Sequence, residues 1–145
     1  MSDSKIIIDF YYKYSTDHKT QIKKLFKESF DVPNSDISIK TIIISYVYKN
    51  YIVAMNCLTN KENNGIFMYN LCVLKTFRGK GLGKTIMNET IKFIKIINKK
   101  TLSLQVYDDN MKAISLYKKF GMKRMGSGMD PITKKSMTTY FRWCD

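Results

Sequence analysis

The period of the apolar residues changes several times along the chain, and each change marks an expected element. Ile6 to Tyr12 is a short apolar and aromatic run that reads as a first strand. From Asp17 to Phe30 the residues Ile22, Leu25, Phe26, Ser29 and Phe30 recur at helical spacing, behind Ser15 and Thr16 as N-cap candidates. Asp31 to Ser38, with Pro33, is a polar loop or a short helical turn. Lys40 to Lys49 and Tyr51 to Thr59 are rich in isoleucine, valine and tyrosine and are separated by a Lys-Asn turn, which predicts an antiparallel hairpin. After a polar turn from Asn60 to Gly65, the nearly continuous apolar run Ile66 to Leu74 reads as a central strand.

Leu82 to Asn98 is apolar on one side, while Lys84, Asn88, Lys92, Lys95 and Lys99 fall along one stripe that predicts the solvent face of a helix. Leu102 to Val106 is a further short strand, so this strand, helix and strand predict a right-handed crossover with parallel strands. Asp108, Asp109 and Asn110 are cap candidates for a helix from Met111 to Phe120, stopped by Gly121. Met122 to Gly126 and Ser136 to Trp143 read as a closing strand pair. The order predicts a mixed α/β (α+β) fold with one parallel pair at its centre. No repeat or low-complexity linker interrupts it, and a single domain over 1–145 is expected.

Composition refines this picture. With 145 residues and 44% hydrophobic residues the chain can bury a core, and no apolar run is long enough for a membrane span or a signal peptide. Cys57, Cys72 and Cys144 are odd in number and far apart, which predicts reduced packing residues in a cytoplasmic protein rather than disulfides or a metal site. The net charge of +13 comes from 25 basic residues, of which only Arg78, Arg124 and Arg142 are arginine. The lysines are scattered, as on a solvated surface, and no helix-turn-helix, zinc-finger or RNP-like pattern accompanies them. Such a surface also concentrates an anionic ligand.

The clearest chemistry lies in Val73 to Lys84, a strand end, a glycine loop and a helix start. Gly79, Gly81 and Gly83 leave main-chain N–H groups uncovered by a Cβ, and the following helix directs its positive end at the same place. This order makes a pocket for a phosphate or pyrophosphate. A Walker-type loop fits Gly83, Lys84 and Thr85 but needs a glycine where Arg78 stands. A dinucleotide fingerprint from Gly79 and Gly81 needs a third glycine where Lys84 stands.

The segment resembles the acetyl-coenzyme A signature of the GNAT N-acetyltransferases through Arg78, Gly81 and Gly83, with Val73 on the preceding strand. A second segment, Leu104, Val106, Asn110, Ala113, Leu116, Tyr117 and Gly121, is similar to the same family's fifth strand and following helix. The two motifs span about Leu71 to Met122. The resemblance implies a central mixed sheet of about seven strands, flanked by helices, with parallel fourth and fifth strands that splay to admit the cofactor's pantetheine arm. It implies acetyl-coenzyme A as co-substrate and no metal. By position it assigns cofactor contacts to Leu71, Cys72, Val73, Arg78, Gly79, Lys80, Gly81, Leu82, Gly83, Lys84, Asn110 and Tyr117. The main chain near Leu71 would stabilise the oxyanion, and Tyr117 would be the general acid that protonates the departing thiolate.

Family members often carry a base on the fourth strand, but here Phe67, Met68, Tyr69 and Asn70 contain no acid. Base candidates are Tyr69 through water, Tyr107, His18, Asp31, Asp36 and Glu62. His18, the only histidine, reads first as a surface or capping residue, and the alternative for Tyr117 is a core aromatic. The expected reaction is acetyl transfer to a primary amine, whether a small amine, an amino sugar or a protein amino group, by a monomer or homodimer. Gly79 to Lys84 is also similar to glucosamine-6-phosphate N-acetyltransferases, a more specific alternative. The alternative classes are a P-loop-like nucleotide-binding protein and a basic nucleic-acid module.

Overall fold

The computed structural model describes residues 3–30 and 37–144. Seven strands form one mixed sheet, as the resemblance implies, and their order is β1-β2-β3-β4-β5-β7-β6. The strands are β1 (Ser4–Phe10), β2 (Ile42–Tyr48), β3 (Tyr51–Lys61), β4 (Gly65–Val73), β5 (Thr101–Tyr107), β6 (Lys123–Met129) and β7 (Ser136–Trp143). The helices are α1 (Thr16–Phe30), α2 (Leu82–Ile96) and α3 (Met111–Lys119). None is long and apolar enough to cross a membrane. The parallel ladder of β4 and β5 pairs Gly65–Phe67 with Thr101–Ser103. Most of the loop expected over Asp31 to Ser38 lies outside the described residues.

Main-chain contacts divide the protein into two compact units, one of Met1–Thr59 with Met68–Thr90, the other of Asn60–Phe67 with Ile91–Asp145. In the first unit α1 follows its 3.6-residue period and buries Ile22, Leu25 and Phe26 in one cluster with Ile43, Val47, Ile52 and Met55. Each such aliphatic side chain contributes about 1.5–3 kcal/mol by leaving water. Ser15 caps the helix, its Oγ accepting from the His18 N–H at 3.1 Å. The expected first strand stops two residues early: Tyr11–Lys13 is a 3-10 turn that points Tyr14 inward. There the Tyr14 hydroxyl reaches the Ile43 carbonyl at 2.8 Å and Ser45 Oγ at 3.0 Å. The hairpin turn between β2 and β3 places Lys49 and Asn50 at φ 49° and 64°, the left-handed pair that matches strand twist.

In the second unit β5 pairs antiparallel with β7, and β7 with β6. Leu102, Leu104 and Val106 are buried with Thr138 and Tyr140, which face Val106 and Leu104 across the ladder. Of the three cap candidates for α3, Asn110 is the cap, its side chain accepting from Ala113 N–H at 3.2 Å. Asp108 instead accepts from the hydroxyls of Ser136 and Thr138, which ties the end of β5 to β7 and lowers its carboxyl pKa. Strand β6 departs most from expectation. It begins at Lys123 rather than Met122 and extends to Met129, and all seven of its residues are exposed. With no buried face its alternation carries no apolar signal, and its ladder is with β7.

Candidate active site

Strand β4 delivers the chain into the glycine loop of the first unit. Leu74 N–H donates to the Val53 carbonyl at 2.7 Å, and a single 3-10 turn, Lys75–Phe77, reverses the chain. Gly79 and Gly81 both stand at φ 79°, a conformation that costs other residues roughly 1–2 kcal/mol. A Cβ built on either would meet nothing within 4 Å, so the loop presents bare main chain to open space. Helix α2 then starts at Leu82, and Thr85 N–H donates to the Gly81 carbonyl at 3.1 Å. Helix geometry gives the N–H groups of Leu82, Gly83 and Lys84 no carbonyl one turn back within α2. They join the positive end of the helix dipole, with no acidic residue in its first turn.

Side chains of the loop hold its shape and leave positive charge outward. Arg78 Nε donates to the Val73 carbonyl at 3.0 Å, tying the guanidinium to the strand end. Lys80 Nζ lies 5.1 Å from the centre of the Phe77 ring, which tilts against Tyr48 at 5.8 Å. Lys75, Arg78, Lys80 and Lys84 are all exposed. Bare N–H groups, a helix N-terminus and four cations suit a diphosphate. Thr85 donates its hydroxyl to the Gly81 carbonyl at 3.2 Å, whereas a Walker loop needs that group on magnesium.

One feature of β4 was not legible in the sequence. Asn70 has φ 59°, a left-handed residue within the strand, tolerated because asparagine bears that conformation better than most. It breaks the regular pleat just before Leu71. Leu71 and Val73 are half-buried, whereas Cys72 packs into the core. A cofactor contact at Cys72 is thus restricted to its main chain. Burial pushes the Cys72 thiol up to about 12, and it also raises the Cys57 thiol. All three cysteines are buried, and none is in a disulfide.

The base candidates are held in specific ways. Tyr69 meets Thr41 Oγ1 through its hydroxyl at 2.8 Å, and burial raises its pKa against the opposing effect of that bond. The phenol therefore stays protonated, which weighs against Tyr69 as a base. His18 Nε2 is 3.2 Å from the Asn50 carbonyl, with its ring edge-on to Tyr14, as fits a residue that packs the end of α1. Tyr107 donates to the Asp130 carboxylate. Glu62 is exposed, and Asp31 and Asp36 lie outside the described residues.

Leu71 to Lys84 all belong to the first unit; Asn110 and Tyr117 belong to the second, on α3. The Asn110 side chain spends its oxygen on the helix cap, and Tyr117 is buried.

The acetyltransferase (GNAT) family model matches residues 7–122, from β1 to the residue before β6. The chain belongs to that family. A Bacillus subtilis (strain 168) protein named as a [ribosomal protein bS18]-alanine N-acetyltransferase is 31% identical over 74 residues, 51% of this chain. The match spans about half of that relative, 49% of its length. Among solved GNAT-like folds, the Escherichia coli ribosomal-protein-S18-alanine N-acetyltransferase has a TM-score of 0.77 at 14% identity, covering 97% of this chain and 95% of its own. An aminoglycoside 6'-N-acetyltransferase complexed with coenzyme A has a TM-score of 0.78 at 15% identity, covering 96% and 97%. These two similarities concern the fold.

Proposed function

We propose that the chain is an acetyl-coenzyme A-dependent N-acetyltransferase acting on a primary amine, specifically the α-amine of a polypeptide. The observation that carries this reading is the loop from Arg78 to Lys84, with two open left-handed glycines running into the N-terminus of α2. Its N–H groups hold the cofactor's diphosphate, with Arg78 and Lys80 adding charge. Acetyl-coenzyme A supplies the acyl group as an activated thioester. Leu71 and Val73 offer main-chain groups to the pantetheine arm, and the N–H near Leu71 stabilises negative charge on the acyl oxygen. Asn110 contacts the same arm, and Tyr117 gives its proton to the leaving thiolate.

Two arguments favour an α-amine. The Bacillus subtilis relative is named for an alanine of a ribosomal protein. In addition, β4 carries no carboxylate from Phe67 to Asn70, and Tyr69 stays protonated. At pH 7.4 an α-amine of pKa about 7.7–8.0 is roughly 20–33% neutral without help, whereas a lysine amine near 10.4 is only about 0.1% neutral. A site without a strong base suits the first kind of nucleophile. The test is calorimetry with acetyl-coenzyme A beside ATP with magnesium. Acetyl-coenzyme A should bind and ATP with magnesium should not; the reverse would overturn the reading.

A further inference from the structure

Helix α2 carries the N–H groups proposed for the diphosphate, and a pair of buried polar side chains joins it to the sheet. On β3 the run Ile52–Leu58 is buried throughout, and Asn56 within it has no exposure at all. Its Nδ2 donates to Thr90 Oγ1 at 3.1 Å and to the Met68 sulfur at 3.7 Å. Thr90, on α2 and equally buried, donates its own proton to the Ile86 carbonyl at 2.7 Å. That bond commits the hydroxyl proton, so Oγ1 accepts from Asn56 and the orientation of the amide follows. The relay therefore runs one way, from β3 to a carbonyl about 6 Å along the axis from Leu82, where α2 begins. Asn56, Met68, Ile86 and Thr90 all belong to the first unit, as does the glycine loop.

Stability does not explain the pair. Among the described residues Asn56 Oδ1 has no hydrogen-bond partner, and a buried acceptor left in that state is a net cost that a leucine in its place would avoid. The Ile86 carbonyl does not need the hydroxyl either, since α-helical geometry already gives it the N–H of Thr90. What the pair adds is position. The other buried residues of α2 in this unit, Leu82, Ile86 and Met87, are apolar. Apolar packing is non-directional, so it lets a helix slide or rotate slightly at little cost. A directional bond from a strand selects one setting, as a single buried asparagine does when it fixes the register of a coiled coil. A shift of α2 by part of a turn would carry the N–H groups of Leu82, Gly83 and Lys84 with it.

We infer that Asn56 and Thr90 are positioning residues for the cofactor: their bond fixes α2 against β3 and so sets the aim of the helix N-terminus toward the diphosphate. The inference rests on the acetyltransferase reading and adds the device that aligns its anion site. The experiment pairs calorimetry with acetyl-coenzyme A and a melting curve on Thr90→Val, Thr90→Ser and the double variant of Asn56→Leu with Thr90→Val. Valine keeps the shape of threonine and removes the hydroxyl, whereas serine keeps the hydroxyl. The double variant replaces both partners by apolar groups of similar size, so its thermal midpoint should stand at or above the wild-type value. In that variant and in Thr90→Val the Kd for acetyl-coenzyme A should rise about 10-fold, the scale of one misaligned hydrogen bond to a charged group. Thr90→Ser should bind near the wild-type value. Wild-type affinity in Thr90→Val or in the double variant, a midpoint of the double variant well below wild type, or binding by Thr90→Ser as weak as by Thr90→Val would overturn the inference. A wild-type protein that does not bind acetyl-coenzyme A would instead overturn the reading beneath it.

Discussion

Replacing Gly81 tests the anion loop most directly, provided that backbone strain and occlusion are separated. Gly81 stands at φ 79° and is exposed, so any side chain there projects into the space proposed for the diphosphate. Valine in this conformation costs about 1–2 kcal/mol or somewhat more, because a branched Cβ crowds the following carbonyl. A chain of 145 residues unfolds with an entropy of about 0.3 kcal/mol/K, so the strain alone lowers the thermal midpoint by roughly 3–7 °C. Asparagine tolerates the same conformation, so Gly81→Asn should cost less stability while still covering the N–H groups. Hydrogen bonds to a charged group contribute about 1.5–3 kcal/mol each, so losing even one predicts acetyl-coenzyme A binding weaker by roughly 10-fold to 150-fold. Calorimetry gives the affinity and differential scanning gives the midpoint, for Gly81→Val and Gly81→Asn side by side. Both should lose affinity, and only valine should lose much stability. Two folded variants with wild-type affinity would refute the cradle.

Tyr117→Phe keeps the buried ring and removes only the proton donor, so kcat should fall roughly 10-fold to 1000-fold with little change in cofactor affinity. Steady-state kinetics beside a melting curve checks it, and a wild-type kcat would make Tyr117 a packing residue only. Asp108 has its carboxyl pKa lowered by the Ser136 and Thr138 hydroxyls, so its contribution to stability is present above the unfolded value near 3.9 and is lost as pH falls through the folded value. The gap in thermal midpoint between wild type and Asp108→Asn should therefore be open at pH 7 and close below about pH 4; no gap at pH 7 would show that the two hydroxyl bonds add nothing.

What the sequence reveals and what it hides follow from the range of the forces involved. Elements α1, α2 and β4 are legible because their apolar residues report their own burial at fixed local periods. Positions of Asn50, Gly79 and Gly81 are legible because left-handed backbone selects a narrow set of residues. Asn70 escapes this logic. Its conformation also occurs at Asn50, Asn63, Asn64 and Asn98 in turns or at a helix end, and nothing local says that this asparagine interrupts a strand. The Thr41 to Tyr69 bond joins residues 28 apart, and only the folded first unit brings them together. The row formed by β5, β7 and β6 is further still from local signals. Gln105, Thr139 and Gly126 become neighbours through two ladders and a register shift between Arg124 and Gly126. Each of the three is unremarkable alone: a polar residue in a strand, a β-branched residue in a strand, a glycine in an exposed edge. A shift of one residue in either ladder would turn the affected strand's side chains to the other face and dismantle the row. Local pattern thus suffices for a glycine loop built from consecutive residues, whereas the row of Gln105, Thr139 and Gly126 depends on strand register, a property of the fold rather than of any short stretch of sequence.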